Sequence, residues 1–344
     1  MRIPILLAAV LTTGCISDED GESEDTGDVT LSPFHGRFGA PSIVKDGDTL
    51  HAYFPIQQHA GDPVHVTHAR STDDGAHWDR VGEALPRLNQ LAMQSGSVWA
   101  PGAAKIADGQ WMLYYSATRT GTQRHMCTYR AHATSPHGPF VDDFAGPMIC
   151  PDHGLWAIDP YPVKDAHDRW HLLARVDEPN GVNTIAIRAL GPAGEQFEPG
   201  SEWIRLTKIN QGGWEEPVME NAAIVRLKSP NDEWRWYVFY SGGSYRNDTY
   251  AIGYADCGPS IDGPCVKQTV TKPWMASRPA LKMFGPGTPT FFRDADGDTI
   301  MAVNTWKFSG GQDNPKNTGQ SMHMFKVRID QHGKPVATFV RMVD

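Results

Sequence analysis

One pattern recurs five times along this chain and limits its fold more than anything else in the sequence. A small or acidic residue precedes proline or another small residue; then come a few apolar positions, a polar turn with Asp or Gly, and an aromatic-rich strand. The occurrences are residues 40–54 (APSIVKDGDTLHAYF), 100–117 (APGAAKIADGQWMLYYSA), 159–174 (DPYPVKDAHDRWHLLA), 220–242 (ENAAIVRLKSPNDEWRWYVFYSG) and 287–306 (GTPTFFRDADGDTIMAVNTW). The first four starts, Ala40, Ala100, Asp159 and Glu220, are spaced by 59–61 residues, and the fifth, at about Gly287, follows after 67. Strand–turn–strand units at a near-constant period, with almost no helical periodicity between them, predict blades arranged about an axis. The expected fold is all-β, a five-bladed β-propeller over residues 31–344. Alternating segments such as 125–132 (HMCTYRAH) and 249–254 (TYAIGY) supply outer strands, and Gly-Pro pairs mark the turns between them.

The N-terminus reads differently. Residues 1–15 (MRIPILLAAVLTTGC) combine one basic residue, a short apolar run and small residues before Cys15, a signal peptide and not a membrane span. The segment resembles a bacterial lipoprotein signal: Thr13 and Gly14 suit cleavage before Cys15, although Thr12 stands where Leu is usual. Lipidation at Cys15 is the expectation, with membrane contact only through that lipid. Ile16 after Cys15 points to the outer membrane of a host that has one. Residues 16–30 are acidic and nearly devoid of large apolar side chains, which predicts a solvated tether. The remaining cysteines are even in number, so disulfides Cys127–Cys150 and Cys257–Cys265 are expected in an exported chain. Zinc is the rival use, but close CxxC pairs and matched His spacing are missing. A net charge of −9 argues against nucleic acid as a partner. A monomer is expected.

In a propeller the innermost strand of each blade begins near the axis, so equivalent starts converge on one pocket. Two consecutive starts here, Asp159 and Glu220, are carboxylates in otherwise apolar strands, and an acid so placed must be paired, hydrated or functional. Paired carboxylates are what glycosidic cleavage needs. Aromatic side chains suit stacking on sugar rings, and Trp99, Trp156 and Trp214 each lie beside a strand start or an acidic motif. Packing between blades is the alternative use for these indoles. Residues 71–78 (STDDGAHW) match the Asp-box turn of sialidases and other propellers, a structural motif.

The strand starts, with WAP at 99–101, IDP at 158–160 and WEEPVMENAAIV at 214–225, resemble glycoside hydrolase family 43, the arabinanase and xylosidase propellers. The resemblance implies an inverting glycosidase acting on arabinose- or xylose-containing carbohydrate. It gives Glu220 the role of general acid and Asp159 that of tuning the acid's pKa. Glu215 is the second choice of acid, because the family often writes this motif Glu-Gly-Pro and Glu215-Glu216-Pro217 is similar.

Two departures stand out. The family places its general base in an Asp-Pro at the first blade, where this chain has Ala40-Pro41; Asp46 and Asp48 lie in the turn at the far end of that strand. His35 and His51 flank the strand, and a neutral imidazole could serve as base there. The other first-blade histidines, His59, His65, His68 and His77, read as surface residues. The family's axial metal, often calcium-like and held by water and one fifth-blade His, meets Thr288 and Asn304 here, so no tight metal and no other cofactor is expected. Three functions follow: the glycosidase; a carbohydrate-binding propeller that has lost its base; and a sialidase-type enzyme, which lacks the three Arg residues it needs at strand starts.

Overall fold

The computed structural model describes residues 29–30, 39–55, 65–122, 125–151, 155–317 and 319–343. Cys15, the signal segment, the tether up to residue 28, His35 and His59 lie outside the described residues. Strand β1 (Val29–Thr30) comes first. The first blade follows as β2 (Ser42–Asp46), β3 (Thr49–Pro55), β4 (Val66–Ser71) and β5 (Asp79–Glu83), and the second as β6 (Trp99–Ala107), β7 (Gln110–Thr118) and β8 (Met126–Ala133). The third is β9 (Ala157–Lys164), β10 (Trp170–Val176), β11 (Thr184–Ala189) and β12 (Ile204–Lys208). The fourth is β13 (Val218–Lys228), β14 (Trp234–Gly243), β15 (Ala251–Gly258) and β16 (Val266–Lys267). The fifth holds β17 (Phe284–Arg293), β18 (Thr299–Trp306), β19 (Gln320–Ile329) and β20 (Pro335–Val343).

Each blade is an antiparallel meander whose strands pair in chain order. The first strands of neighbouring blades pack side by side, and β17 returns to β2 to close the ring. Closure is reinforced by β1, which pairs in parallel with β20, Val29 opposite Met342 and Thr30 opposite Val343. Pairing covers the outer edge of the last blade, the kind of edge that otherwise recruits other chains. Val29 and Thr30, the last two residues of the expected tether, thus pair in a ladder with the last blade.

Burial follows the blade geometry. Five hydrophobic clusters sit one at each blade–blade junction, for example Tyr53, Trp111, Tyr115 and Phe140 between the first and second blades. Both faces of each sheet are covered, so the inner strands read as nearly continuous apolar runs instead of alternating ones. Removing one such aromatic, as in Trp111→Ala, costs about 3–5 kcal/mol.

Both expected disulfides form, Cys127–Cys150 and Cys257–Cys265. The first clamps an irregular strap along the outer edge of the three-stranded second blade. That strap bridges to β8 at Ile149–Thr128 and Val141–His132. The Asp-box is a closed turn: Gly75 N–H donates to Ser71 Oγ (2.9 Å), His77 N–H to Asp73 Oδ1 (2.9 Å), and the buried Trp78 Nε1 to the Gly75 carbonyl (3.0 Å).

Candidate active site

The axial ends of the inner strands share one backbone device. Ala40, Ala100, Asp159, Asn221 and Thr288 all adopt left-handed φ, between 36° and 58°. In the second to fifth blades the ladder slips by one residue at this point, for example between Glu220 and Ala223 against Ser241 and Phe239. Such a bulge turns a side chain away from the sheet and is common beside active sites. Proline follows in four of the five, and a residue without an N–H leaves no donor unpaired at the slip. Together these residues line a small axial pocket of about 30 Å3 whose walls are Ala40, Pro41, Ser42, Ala100, Pro101, Asp159, Pro160, Tyr161, Asn221, Ala222, Thr288 and Pro289.

Hydroxyls stitch the ring beneath it. Asp159 N–H donates to Ser116 Oγ of the second blade (3.1 Å), and Thr288 N–H to Ser241 Oγ of the fourth (2.8 Å). Ala103 N–H donates to Ser42 Oγ of the first (3.0 Å).

The fourth blade differs from the sequence reading by one position. Asn221, not Glu220, occupies the equivalent bulge, and Thr288, not Gly287, occupies the fifth. Glu220 precedes the bulge and is held below it at 8% exposure. Its Oε2 accepts from Arg175 Nη1 (3.1 Å) and its Oε1 from the Tyr250 hydroxyl (3.0 Å). Arg175, itself buried, also grips Asp177 through Nε (2.9 Å) and Nη2 (3.2 Å) and lies 5.5 Å over the Trp156 ring. Asp159, 6% exposed, accepts from the Asn221 N–H at Oδ2 (2.9 Å), tying the third blade to the fourth.

Burial above all pushes the Asp159 carboxyl up, to about 7, and the charge of Glu220 adds to it, while the Asn221 N–H and the Arg175 cation pull down. Glu220 is raised too, again by burial first, against the pull of Arg175 and Tyr250. Two carboxyls coupled in this way titrate as a unit, and the pair keeps a proton near neutral pH.

Other residues singled out in the sequence lie elsewhere. Glu215 is fully buried inside the fourth blade, its Oε2 meeting Lys267 Nζ (2.7 Å) and Asn210 N–H (2.6 Å) and its Oε1 the Tyr240 hydroxyl (2.8 Å). It contributes nothing to the pocket lining. Trp214 packs on Tyr240 at 6.2 Å and donates Nε1 to the Thr269 carbonyl. Trp99 is 40% exposed and meets Trp156 edge-on at 5.7 Å, so these two form an aromatic rim linked through Arg175 to Glu220. Asp46 pairs with Lys105 (2.7 Å) at the end of β2 away from the pocket.

His51, His65 and His68 are buried, which corrects the surface reading of His65 and His68. His65 bridges two carbonyls, those of Leu85 and Gln94. His51 packs on His68 and His137, outside the pocket lining. Thr288 Oγ1 and Asn304 Oδ1 hydrogen-bond each other, so these neutral oxygens satisfy themselves and do not fit the donor set of a histidine-held axial cation.

Arg175, Asp177, Tyr250 and Asn221 were not legible as site residues beforehand. The usable signal was the alternation of Arg175 and Asp177 at the end of an apolar strand, where two charges on one face demand a partner.

The family model described as "Glycosyl hydrolases family 43" matches residues 32–335. No curated protein sequence matches. Among solved structures, a thermostable family-43 glycoside hydrolase superposes with a TM-score of 0.70 at 19% identity, covering 87% of this chain and 92% of that one. An endo-1,4-β-xylanase from Bacteroides thetaiotaomicron gives 0.68 at 21% identity, covering 89% and 97%. The Cellvibrio cellulosa α-L-arabinanase complexed with arabinohexaose gives 0.65 at 16% identity, covering 89% and 99%. With the matched span reaching across every blade, this chain belongs to glycoside hydrolase family 43.

Proposed function

We propose that this protein hydrolyses O-glycosidic bonds in arabinose- or xylose-containing oligo- and polysaccharides, with inversion at the anomeric carbon. The observation that carries the reading is the Asp159–Glu220 pair, both carboxyls raised by burial, with Asp159 in the lining of the axial pocket and Glu220 held below it. The neighbours named for xylanase and arabinanase activity supply the sugar class.

In this reading Glu220 gives its proton to the leaving oxygen as the glycosidic bond breaks, and a water oxygen joins the anomeric carbon from the opposite face. The proton held by the pair sits on Glu220 at that moment, and Asp159 takes the negative charge. Arg175 fixes the Glu220 carboxyl and restrains how far its affinity rises. Trp99 and Trp156 offer faces to a sugar ring. No step runs through a metal.

The attacking water meets no carboxylate at Ala40, so its proton passes to solvent and turnover is slow, by about two to four orders of magnitude. That same alanine favours a second reading, a sugar-binding propeller without turnover. Assaying the full chain on aryl α-L-arabinofuranosides, β-D-xylosides and arabinan or xylan fragments separates them. Turnover abolished by Glu220→Gln supports hydrolysis; oligosaccharide binding by calorimetry with no turnover supports the second reading. Two disulfides support an exported protein, and lipidation at Cys15 is proposed to anchor it.

A further inference from the structure

A second cluster of chemistry-bearing side chains lies at the other end of the first two blades. The register of β3 on β4 sets Tyr53 opposite His68 and His51 opposite Arg70, so His51 and His68 are diagonal neighbours on one sheet face. Both are buried, at 4% and 1% exposure. The third member, His137, is exposed on the loop after β8. That loop is fastened to the first blade by the Tyr53 hydroxyl, which donates to the Pro136 carbonyl (2.6 Å), and by Phe140 N–H on the Ala84 carbonyl (2.7 Å). His51 follows the β2–β3 turn and His137 follows the end of β8, whereas the pocket gathers strand beginnings. The cluster therefore sits at the end of the strands away from the pocket.

One ring nitrogen from each histidine lies within 4.8 Å of the other two. His51 Nδ1 and His68 Nε2 are 3.0 Å apart. In a tetrahedral site with zinc–nitrogen bonds of 2.0–2.1 Å, ligand nitrogens stand about 3.3 Å apart, so this pair needs only a small opening. The other ring nitrogen of His68, Nδ1, is buried without a hydrogen-bond partner, so it is Nε2 that faces His51 and the centre of the cluster.

We propose that His51, His68 and His137 form a three-histidine site for a divalent transition metal of the zinc class, joining the first blade to the second. Neutral imidazole is the ligand such ions prefer, and three of them leave a fourth position for water. His137 stands at the entrance, so the ion enters from solvent. Tyr53, stacked on His68 at 5.0 Å, and Trp111, edge-on to His51 at 5.8 Å, hold the two buried rings in place. The ion cross-links residues of two blades, so its effect is on stability and not on the pocket.

The test uses the full chain without a polyhistidine tag, treated with chelator and titrated with ZnCl2 by calorimetry and thermal unfolding. His137→Ala changes an exposed side chain and leaves the core intact; His68→Gln removes a buried ligand. The expected result is one zinc ion bound per chain and a melting temperature raised by several degrees, with affinity falling at least tenfold in His137→Ala and further in His68→Gln. Co2+ substitution should give the visible absorption of a tetrahedral site in the native protein only. Absence of zinc binding by the native chain, or binding and stabilisation unchanged in His137→Ala, would overturn the proposal and leave the cluster as ring packing.

Discussion

The axial ends of the first and third blades have the same backbone and opposite chemistry. Ala40-Pro41 and Asp159-Pro160 both place a left-handed residue before proline, at φ 47° and 58°, and both line the pocket. Asp159 reaches across to the Asn221 N–H and, with Glu220, holds a proton. Ala40 has a methyl group and can do neither. Left-handed φ costs an L-residue about 1–2 kcal/mol, and Asp tolerates it better than Ala. The first blade thus keeps the strained backbone of the third without a side chain that uses it. Bulge geometry belongs to the ring; chemistry belongs to the residue set into it.

That contrast can be broken from either side. The largest effect is expected on the acid side: Glu220→Gln keeps the shape and removes the proton, lowering kcat about 10²–10⁴-fold on natural oligosaccharides. Aryl glycosides with good leaving groups, which need less protonation, should lose less. Next, Arg175→Met strands Glu220 and Asp177 in a buried site, with an expected stability loss of about 3–5 kcal/mol in chemical unfolding. The alkaline limb of its pH–rate profile should also move to higher pH, since the cation that restrains Glu220 is gone.

Asp159→Asn probes the same side through pH. A carboxyl raised to about 7 in the folded protein from an ordinary value near 4 contributes stability that is fully present below about 4 and lost as pH rises through 7. The native protein should therefore lose stability over that window, by a few kcal/mol at most. Asp159→Asn should flatten the curve, and an unchanged slope would show that Asp159 is not the titrating group. Replacing Cys127 and Cys150 with serine, away from the pocket, should cost about 3 kcal/mol and leave the pH profile unaltered. The smallest effect belongs to the base side: Ala40→Gly should stabilise by about 1 kcal/mol, by relieving the left-handed strain.

Much of this was legible in the sequence, and the exceptions have physical causes. The period gave the blades because every inner strand must be rebuilt to bury its neighbours. It misplaced the fourth start by one residue because the bulge at Asn221 inserts a position that a simple count cannot see. Glu215 stands as second choice because Glu215-Glu216-Pro217 is similar to the family's Glu-Gly-Pro; only the Lys267 and Tyr240 contacts reveal it as part of a blade interior. Arg175 was not legible because the carboxylate it holds at the site, Glu220, arrives from another blade. The proximity of His51, His68 and His137 depends on strand register and a distant loop, which no local pattern displays.

The central claim is that the pocket is complete on its proton-donating side and lacks a carboxylate at Ala40. Turnover of an aryl α-L-arabinofuranoside or β-D-xyloside by Ala40→Asp, compared with the native chain, tests it most directly. A gain of about 10²-fold or more, abolished when Glu220→Gln is added, is the predicted result. Native turnover already equal to that of Ala40→Asp would contradict the account, because another group would then be activating the water.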